Sequence, residues 1–395
     1  MTEKNGMKIP CYVFDESELK IRVQKIKDMI LQWGGKTCFA IKANPFLIPS
    51  LMPIVDKFEV CSPGELETCR FYKVPGKQIL FSGVVKTKKD IETALRYPVD
   101  VITLESMTHW VLLKECLQES PDISNVKILP RLSNGAQFGM EEEQILQIVE
   151  EQQSMEQVIL EGVHYFTGTQ KKGNKYEKEI AYAGVLVEKI KEKYGLNDLI
   201  LEYGPGLAVP YFTVDNFENP LGLMEQLRDF ILEQRFPFRI DIEMGRYMAA
   251  SCGKYYTSIV DIKSADERNY CLVDGGGHHV NYYGSNMAMR TPIIKHIKEA
   301  DKNPAKDEKE YMVCGALCTF ADILARGIAL DNPQIGDTLV FENIGAYSVT
   351  EGTYLFLSRD LPTIYMKKEN GDLVEIRDSI SSYKINLGNE ADENK

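Results

Sequence analysis

Eight short apolar runs recur between residues 37 and 245, each followed by a stretch with helical spacing, and this rhythm restricts the fold more than any other feature. The runs are Thr37–Asn44, Phe58–Ser62, Ile79–Gly83, Val101–Ser106, Lys127–Ser133, Leu160–Gly168, Asp198–Gly206 and Phe238–Gly245. Strand followed by helix, repeated eight times, predicts a (β/α)8 TIM barrel within the α/β class. In such a barrel the chemistry lies on the loops leaving the carboxyl ends of the strands. Lys42, Arg131, His164, the Gly204-Pro205-Gly206 turn and Glu243 all fall there.

Beyond Arg246 the rhythm changes to strand-like segments without helices of barrel length: Tyr255–Lys263, Tyr270–Asp274, Tyr311–Gly315, Thr338–Glu342 and Thr363–Met366. The expected organisation is a barrel over residues 16–250 and a mostly β domain over 251–395, with the amino-terminal segment 1–15 outside the barrel count. Within that segment Cys11–Phe14 reads as a strand, and Asp15 or Ser17 as the cap of a helix over Glu18–Trp33. The charged stretch Lys298–Glu310 reads as a solvated loop and Asn386–Lys395 as a frayed acidic tail.

The net charge of −12 disfavours nucleic acid as a partner, because no Lys/Arg stripe offsets it. No apolar stretch approaches the ~18 residues that a membrane span needs, so a soluble cytoplasmic protein is expected. Nine cysteines without CxxC pairs suggest reduced thiols, and five histidines without ligand spacing suggest no metal site.

Several residues carry chemistry. Lys42 lies inside an otherwise apolar strand, Cys38-Phe39-Ala40-Ile41-Lys42-Ala43-Asn44, where lost hydration would favour a neutral, nucleophilic amine able to form a Schiff base; the alternative is a lysine that snorkels to solvent. Glu243 ends the eighth strand, next to the first in a closed barrel, where a carboxylate could keep a pyridine nitrogen protonated, or could merely pair with Arg246. The Gly204-Pro205-Gly206 turn could close its amides on a phosphate. His164 could stack on a cofactor ring beside Thr167, Gly168 and Thr169, or be a core histidine. Arg131 could reach a cofactor hydroxyl or phosphate, or make a barrel salt bridge. In the β domain Cys318 and Asp322 stand one helical turn apart, a thiol and a carboxylate that could face one small ligand, although Cys318 could equally be an apolar filler. Gly345-Ala346-Tyr347 offers a phenol to a phosphate oxygen.

Taken in order, these motifs resemble the fold-type III pyridoxal-phosphate decarboxylases, the group of diaminopimelate, ornithine and arginine decarboxylases. The matching elements are Phe39-Ala40-Ile41-Lys42-Ala43-Asn44, Phe58-Glu59-Val60-Cys61-Ser62 with Glu65-Leu66-Glu67, and Phe81-Ser82-Gly83. They continue through Gly162-Val163-His164 with Gly168-Thr169-Gln170, Glu202-Tyr203-Gly204-Pro205-Gly206, Glu243-Met244-Gly245-Arg246, Gly315-Ala316-Leu317-Cys318 with Asp322, and Gly345-Ala346-Tyr347.

The resemblance implies a barrel plus β domain of the alanine racemase and decarboxylase kind, and pyridoxal 5'-phosphate held as an aldimine on Lys42. His164 is then expected to stack on the ring and Glu243 to contact the pyridine nitrogen. The phosphate is expected among Gly204, Gly206, Arg246 and Tyr347, near Thr169, with Arg131 also on the cofactor. The family's head-to-tail homodimers share active sites, so Cys318 would reprotonate the quinonoid carbon and Asp322 would contact substrate in the partner subunit.

The chain departs from the pattern after Asp274, where Gly275-Gly276-Gly277-His278-His279-Val280-Asn281-Tyr282-Tyr283 replaces the Arg-Pro pair and Tyr that hold the distal end in diaminopimelate decarboxylases. Tyr283 and Arg290 are the residues here that could contact substrate instead. The expected activity is decarboxylation of an amino acid or its derivative, diaminopimelate decarboxylase-like. The alternatives are a carrier-bound amino acid as substrate, or a racemase, which Glu243 in place of an arginine at the ring nitrogen disfavours. A third alternative, a catalytically silent regulatory homologue that binds partner proteins, is disfavoured by the retention of Lys42, His164, Glu243, Cys318 and Tyr347.

Overall fold

The computed structural model describes residues 2–4, 6–215, 217–282, 288–299 and 307–388. Tyr283, the core of the charged stretch 298–310 and the end of the acidic tail lie outside the described residues. The chain divides into two compact units, one of residues 20–209 and 218–248, the other of residues 1–19, 210–217 and 249–395.

The first unit is the expected barrel. Its strands are Thr37–Ala40, Lys57–Val60, Ile79–Phe81, Val101–Leu104, Val126–Pro130, Val158–Leu160, Gly162–Phe166, Ile200–Gly204 and Arg239–Met244, all paired in parallel. The sixth run of the sequence is broken into two pieces at Glu161. The ring closes where the Leu132 amide donates to the His164 carbonyl at 2.9 Å, extending the Val126–Pro130 strand alongside Gly162–Phe166. Helix starts follow local chemistry: Ser62 accepts from the Glu65 amide, and Thr87 and Asp90 cap each other reciprocally. Cys38, Leu80, Val101, Leu129 and Ile200 pack one apolar layer inside the barrel.

Polar residues share that interior. Lys57 Nζ lies 2.9 Å from Asp100. Glu202 is fully buried with neither carboxyl oxygen hydrogen-bonded. Burial, and then the charge of Asp241, push its carboxyl well above the usual range.

In the second unit the strand Cys11–Asp15 pairs antiparallel with Gly253–Ala265 and parallel with Thr363–Lys367. Asp15 accepts from the Glu18 amide at 3.0 Å and so starts the helix Glu16–Leu31 as its cap. Five strands of this unit go beyond the sequence expectation: Thr2–Lys4, Met7–Ile9, Ile294–Ile297, Ile323–Asp331 and Leu373–Arg377. Residues Glu308–Glu310, expected in the loop, begin the strand Glu308–Cys314.

Three buried histidines give the protein an acid-sensitive stability. His278 and His279 lie against each other with ring centroids 3.8 Å apart and planes tilted by 42° in the β unit. His109 in the barrel unit faces the amides of Lys86 and Glu105, each at 3.2 Å, which leaves an added proton nothing to donate to. Burial lowers all three, His109 and His278 to about 4 and His279 to about 3. The unfolded chain therefore takes up protons below its ordinary histidine pKa of ~6.5 that the folded chain refuses. Stability is expected to be full above pH ~6.5 and to fall as pH drops toward 4, by about 1.4 kcal/mol per pH unit for each histidine. Denaturant midpoints between pH 7 and 4.5 check this; a flat profile in both units refutes it.

Candidate active site

The carboxyl ends of the barrel strands carry a dense set of ionisable groups. The strand Thr37–Ala40 stops before Lys42, which lies in the one-turn 3-10 helix Ile41–Ala43, not inside a strand as the apolar run suggested. The turn ends because Asn44 is extended and its side chain accepts from the Phe46 amide, starting the next turn. Lys42 Nζ donates to Glu59 Oε2 at 2.7 Å and lies 3.4 Å from Cys61 Sγ. The Cys61 thiol donates to Glu59 Oε1 at 2.9 Å. Glu59 and Cys61 had no assigned role from sequence, although their place at the end of the second strand was the signal.

His164 and Glu243 meet across the barrel mouth, with Nε2 and Oε2 3.1 Å apart and both side chains buried. Burial alone would raise the Glu243 carboxyl. The hydrogen bond and charge of His164, followed by Lys42 and Arg131, outweigh it and lower the carboxyl to about 2. Glu243 is thus an anion at neutral pH. Its alternative as a partner of Arg246 gives way to this contact with His164.

Arg131 takes the salt-bridge arrangement, with Nη1 2.9 Å from Glu105 Oε1 and Nη2 donating to the Phe166 carbonyl at 3.3 Å. Beside it Lys86 is almost wholly buried and donates to the Gly83 carbonyl at 2.6 Å. Burial lowers Lys86 to about 8 despite the attraction of Glu105. This buried lysine also escaped the sequence reading, since it follows its strand by several residues.

Three segments converge at the other side of the mouth. The Lys171 amide donates to the Gly206 carbonyl at 2.9 Å, the Ala208 amide returns a bond to Lys171, and Arg246 Nε donates to Thr169 Oγ1 at 3.2 Å. Gly206 has φ +57°, and a Cβ there would stand 1.9 Å from the Gly168 carbonyl oxygen, so only glycine fits.

The β unit holds the remaining expected residues. Cys318 is exposed, in a bent loop between the strands Glu308–Cys314 and Ile323–Asp331. No helix forms there, so the expectation that Cys318 and Asp322 stand one helical turn apart is corrected. The loop's glycine and the turn of residues 275–277 demand a tight crossing, and Asp322 ties it together by accepting from the Gly277 amide at 2.6 Å and the Leu317 amide at 2.7 Å. Asp322 also borders a cavity of about 430 Å³ with Val280, Asn281, Leu317 and Phe356. Arg290 lies over the Phe212 ring at 5.3 Å. Tyr347 adopts φ +68° just before the short helix Ser348–Glu351.

The barrel-mouth groups suit a phosphorylated pyridine aldehyde. They comprise an amine, a carboxylate kept anionic, a turn with no room for a side chain next to an arginine, and two buried polar atoms without partners, His164 Nδ1 and Arg131 Nε. Residues 17–250 match the family described as pyridoxal-dependent decarboxylase, pyridoxal binding domain. The chain belongs to this family.

Like other pyridoxal-dependent decarboxylases, the protein is a carboxy-lyase. It is 27% identical to the L-glutamyl acyl-carrier protein decarboxylase of Niallia circulans, over 81% of this chain and 79% of that one. It is 24% identical to the diaminopimelate decarboxylase of Methanocaldococcus jannaschii, over 94% and 88%. The crystal structure of the latter superposes with a TM-score of 0.82 at 20% identity, covering 96% of this chain and 91% of that one. Lysine/ornithine decarboxylase of Vibrio vulnificus, complexed with cadaverine, gives 0.77 at 21% identity over 93% and 96%. Both neighbours share the expected barrel plus β domain. No helix among the described residues is long and apolar enough to cross a membrane.

Proposed function

We propose that the protein uses pyridoxal 5'-phosphate, bound through Lys42, to decarboxylate an amino acid or amino-acid derivative. When bound, this group supplies a ring that takes up the electron pair left behind as carbon dioxide departs. The observation that carries the reading is Glu243, a buried carboxylate held anionic beside His164, because an anion at the ring nitrogen keeps that nitrogen protonated. Glu59 keeps the Lys42 amine oriented, and the wall of His164 excludes water from one ring face. Gly204, Gly206, Thr169 and Arg246 hold the phosphate, joined by the Tyr347 phenol. Arg131, fixed by Glu105, turns its unpartnered Nε toward a ring substituent.

In a homodimer with shared sites, Cys318 returns a proton to the carbon that lost the carboxylate. An exposed loop thiol is suited to reach a site outside its own subunit. Asp322, with both oxygens engaged by backbone amides, holds this loop in shape and reaches substrate through its remaining lone pairs. Tyr283 and Arg290 complete the substrate contacts.

A second reading, in which the amino acid is bound to a carrier protein, is favoured by the similarity to the glutamyl-carrier decarboxylase. The test is carbon dioxide release from a panel of basic and acidic amino acids, both enantiomers, meso-diaminopimelate and aminoacyl carrier proteins, with cofactor supplied. Release from one free amino acid establishes the first reading, and release from carrier conjugates alone the second. Inversion of configuration without gas from any of them overturns both.

A further inference from the structure

Cys61, Glu59 and Lys42 form a closed triangle that the proposed chemistry uses only in part. Glu59 bridges the other two, taking the thiol proton side at Oε1, 2.9 Å from Sγ, and the amine at Oε2, 2.7 Å from Nζ, while Sγ and Nζ stand 3.4 Å apart. Glu59 is buried, Cys61 is half-buried, and 36% of the Lys42 side chain is exposed, so a molecule as small as a peroxide reaches the sulfur. We propose that Cys61 and Lys42 are a modification site, joined by a peroxide into a reversible sulfur–nitrogen bond, a sulfenamide, that takes the amine away from the cofactor.

The step balances. Sγ attacks one peroxide oxygen, the O–O bond breaks, and the thiol proton passes through Glu59 to the leaving hydroxide as water. Glu59 then takes a proton from the Lys42 ammonium and passes it to solvent, the freed amine attacks the sulfenic sulfur, the S–O bond breaks, and hydroxide leaves with a second amine proton as water. Sulfur loses two electrons, the peroxide gains them, and the pair of side chains is lighter by two hydrogens. Two equivalents of an external thiol reverse the change, cleaving the bond and leaving as a disulfide. Burial and the Glu59 charge push the resting thiol up, which slows its reaction with peroxide, while the carboxylate at 2.9 Å is placed to take the proton as sulfur attacks.

The bond itself does not depend on what Lys42 binds; only its effect on cofactor loading rests on the function proposed above. The full chain, with and without added pyridoxal phosphate, is treated with hydrogen peroxide, alkylated, digested and mapped by mass spectrometry. Expected is a linked pair of peptides carrying residues 42 and 61, two hydrogens lighter than their sum, lost on dithiothreitol treatment, absent from Cys61→Ser and suppressed by cofactor. Recovery of Cys61 as thiol or sulfinic acid with Lys42 unlinked overturns the proposal. A linked pair with cofactor loading undiminished leaves the bond standing and removes Lys42 as the cofactor lysine.

Discussion

Lys42→Ala protein is expected to lose the yellow, borohydride-reducible chromophore of the cofactor-loaded enzyme and to fall at least ~10³-fold in carbon dioxide release, the range for removing a group that acts directly in the reaction. The substitution also strips Glu59 of the ammonium 2.7 Å away, leaving a buried carboxylate without that charge. Because 36% of the Lys42 side chain meets solvent, this loss is screened and well below the ~3–5 kcal/mol of a fully buried pair. Lys42→Arg separates the two effects. It keeps a cation for Glu59 yet has no amine to condense with an aldehyde, so stability is expected to recover while colour and activity do not. Mixed with Cys318→Ala protein, Lys42→Ala regains part of the activity if the sites are shared between subunits. Should Lys42→Ala keep a chromophore that resists dialysis, another lysine holds the cofactor, with the buried and perturbed Lys86 the first to examine.

The second large effect is expected at Glu243. Replacing it by Gln keeps the shape and a hydrogen-bonding oxygen near His164 Nε2 but removes the negative charge. Turnover is expected to drop about 10²–10⁴-fold while the cofactor stays bound, since in the proposed reading Lys42 and the phosphate turn would hold it whereas the ring's pull on electrons would rest on its protonated nitrogen. The pH dependence follows from the lowered carboxyl. Its ordinary value of 4.5 becomes about 2 in the folded chain, so the associated stability is fully present above pH 4.5 and is lost as pH falls through 2. Glu243→Gln therefore weakens the barrel at neutral pH and flattens its acid-unfolding curve below pH 4.5. Wild-type turnover in Glu243→Gln would show that the carboxylate serves only His164.

The barrel was legible because its signal is periodic: each parallel strand is buried on both faces and so reads as an unbroken apolar run. Lys42, His164 and Glu243 were legible for a related reason, since a charged or titratable residue ending such a run is costly unless something pays for it. The β unit was read less completely. Ile323–Asp331 follows directly on the Cys318 loop, where the sequence reading places Cys318 and Asp322 one helical turn apart and expects no strand. The exposed edge strand Leu373–Arg377 lacks the burial that would have marked it.

From the chain alone came the order of elements, the residue types at the strand ends and the family pattern, since local spacing and side-chain chemistry are written along the backbone. The pairings were decided only by tertiary structure. That Glu243 faces His164 and not Arg246, that Arg131 spends its guanidinium on Glu105, and that Cys61 stands beside the amine of Lys42 depend on barrel closure and strand register. Closure brings together residues far apart in sequence, and a shift of one residue in register would turn each of these side chains to the opposite face.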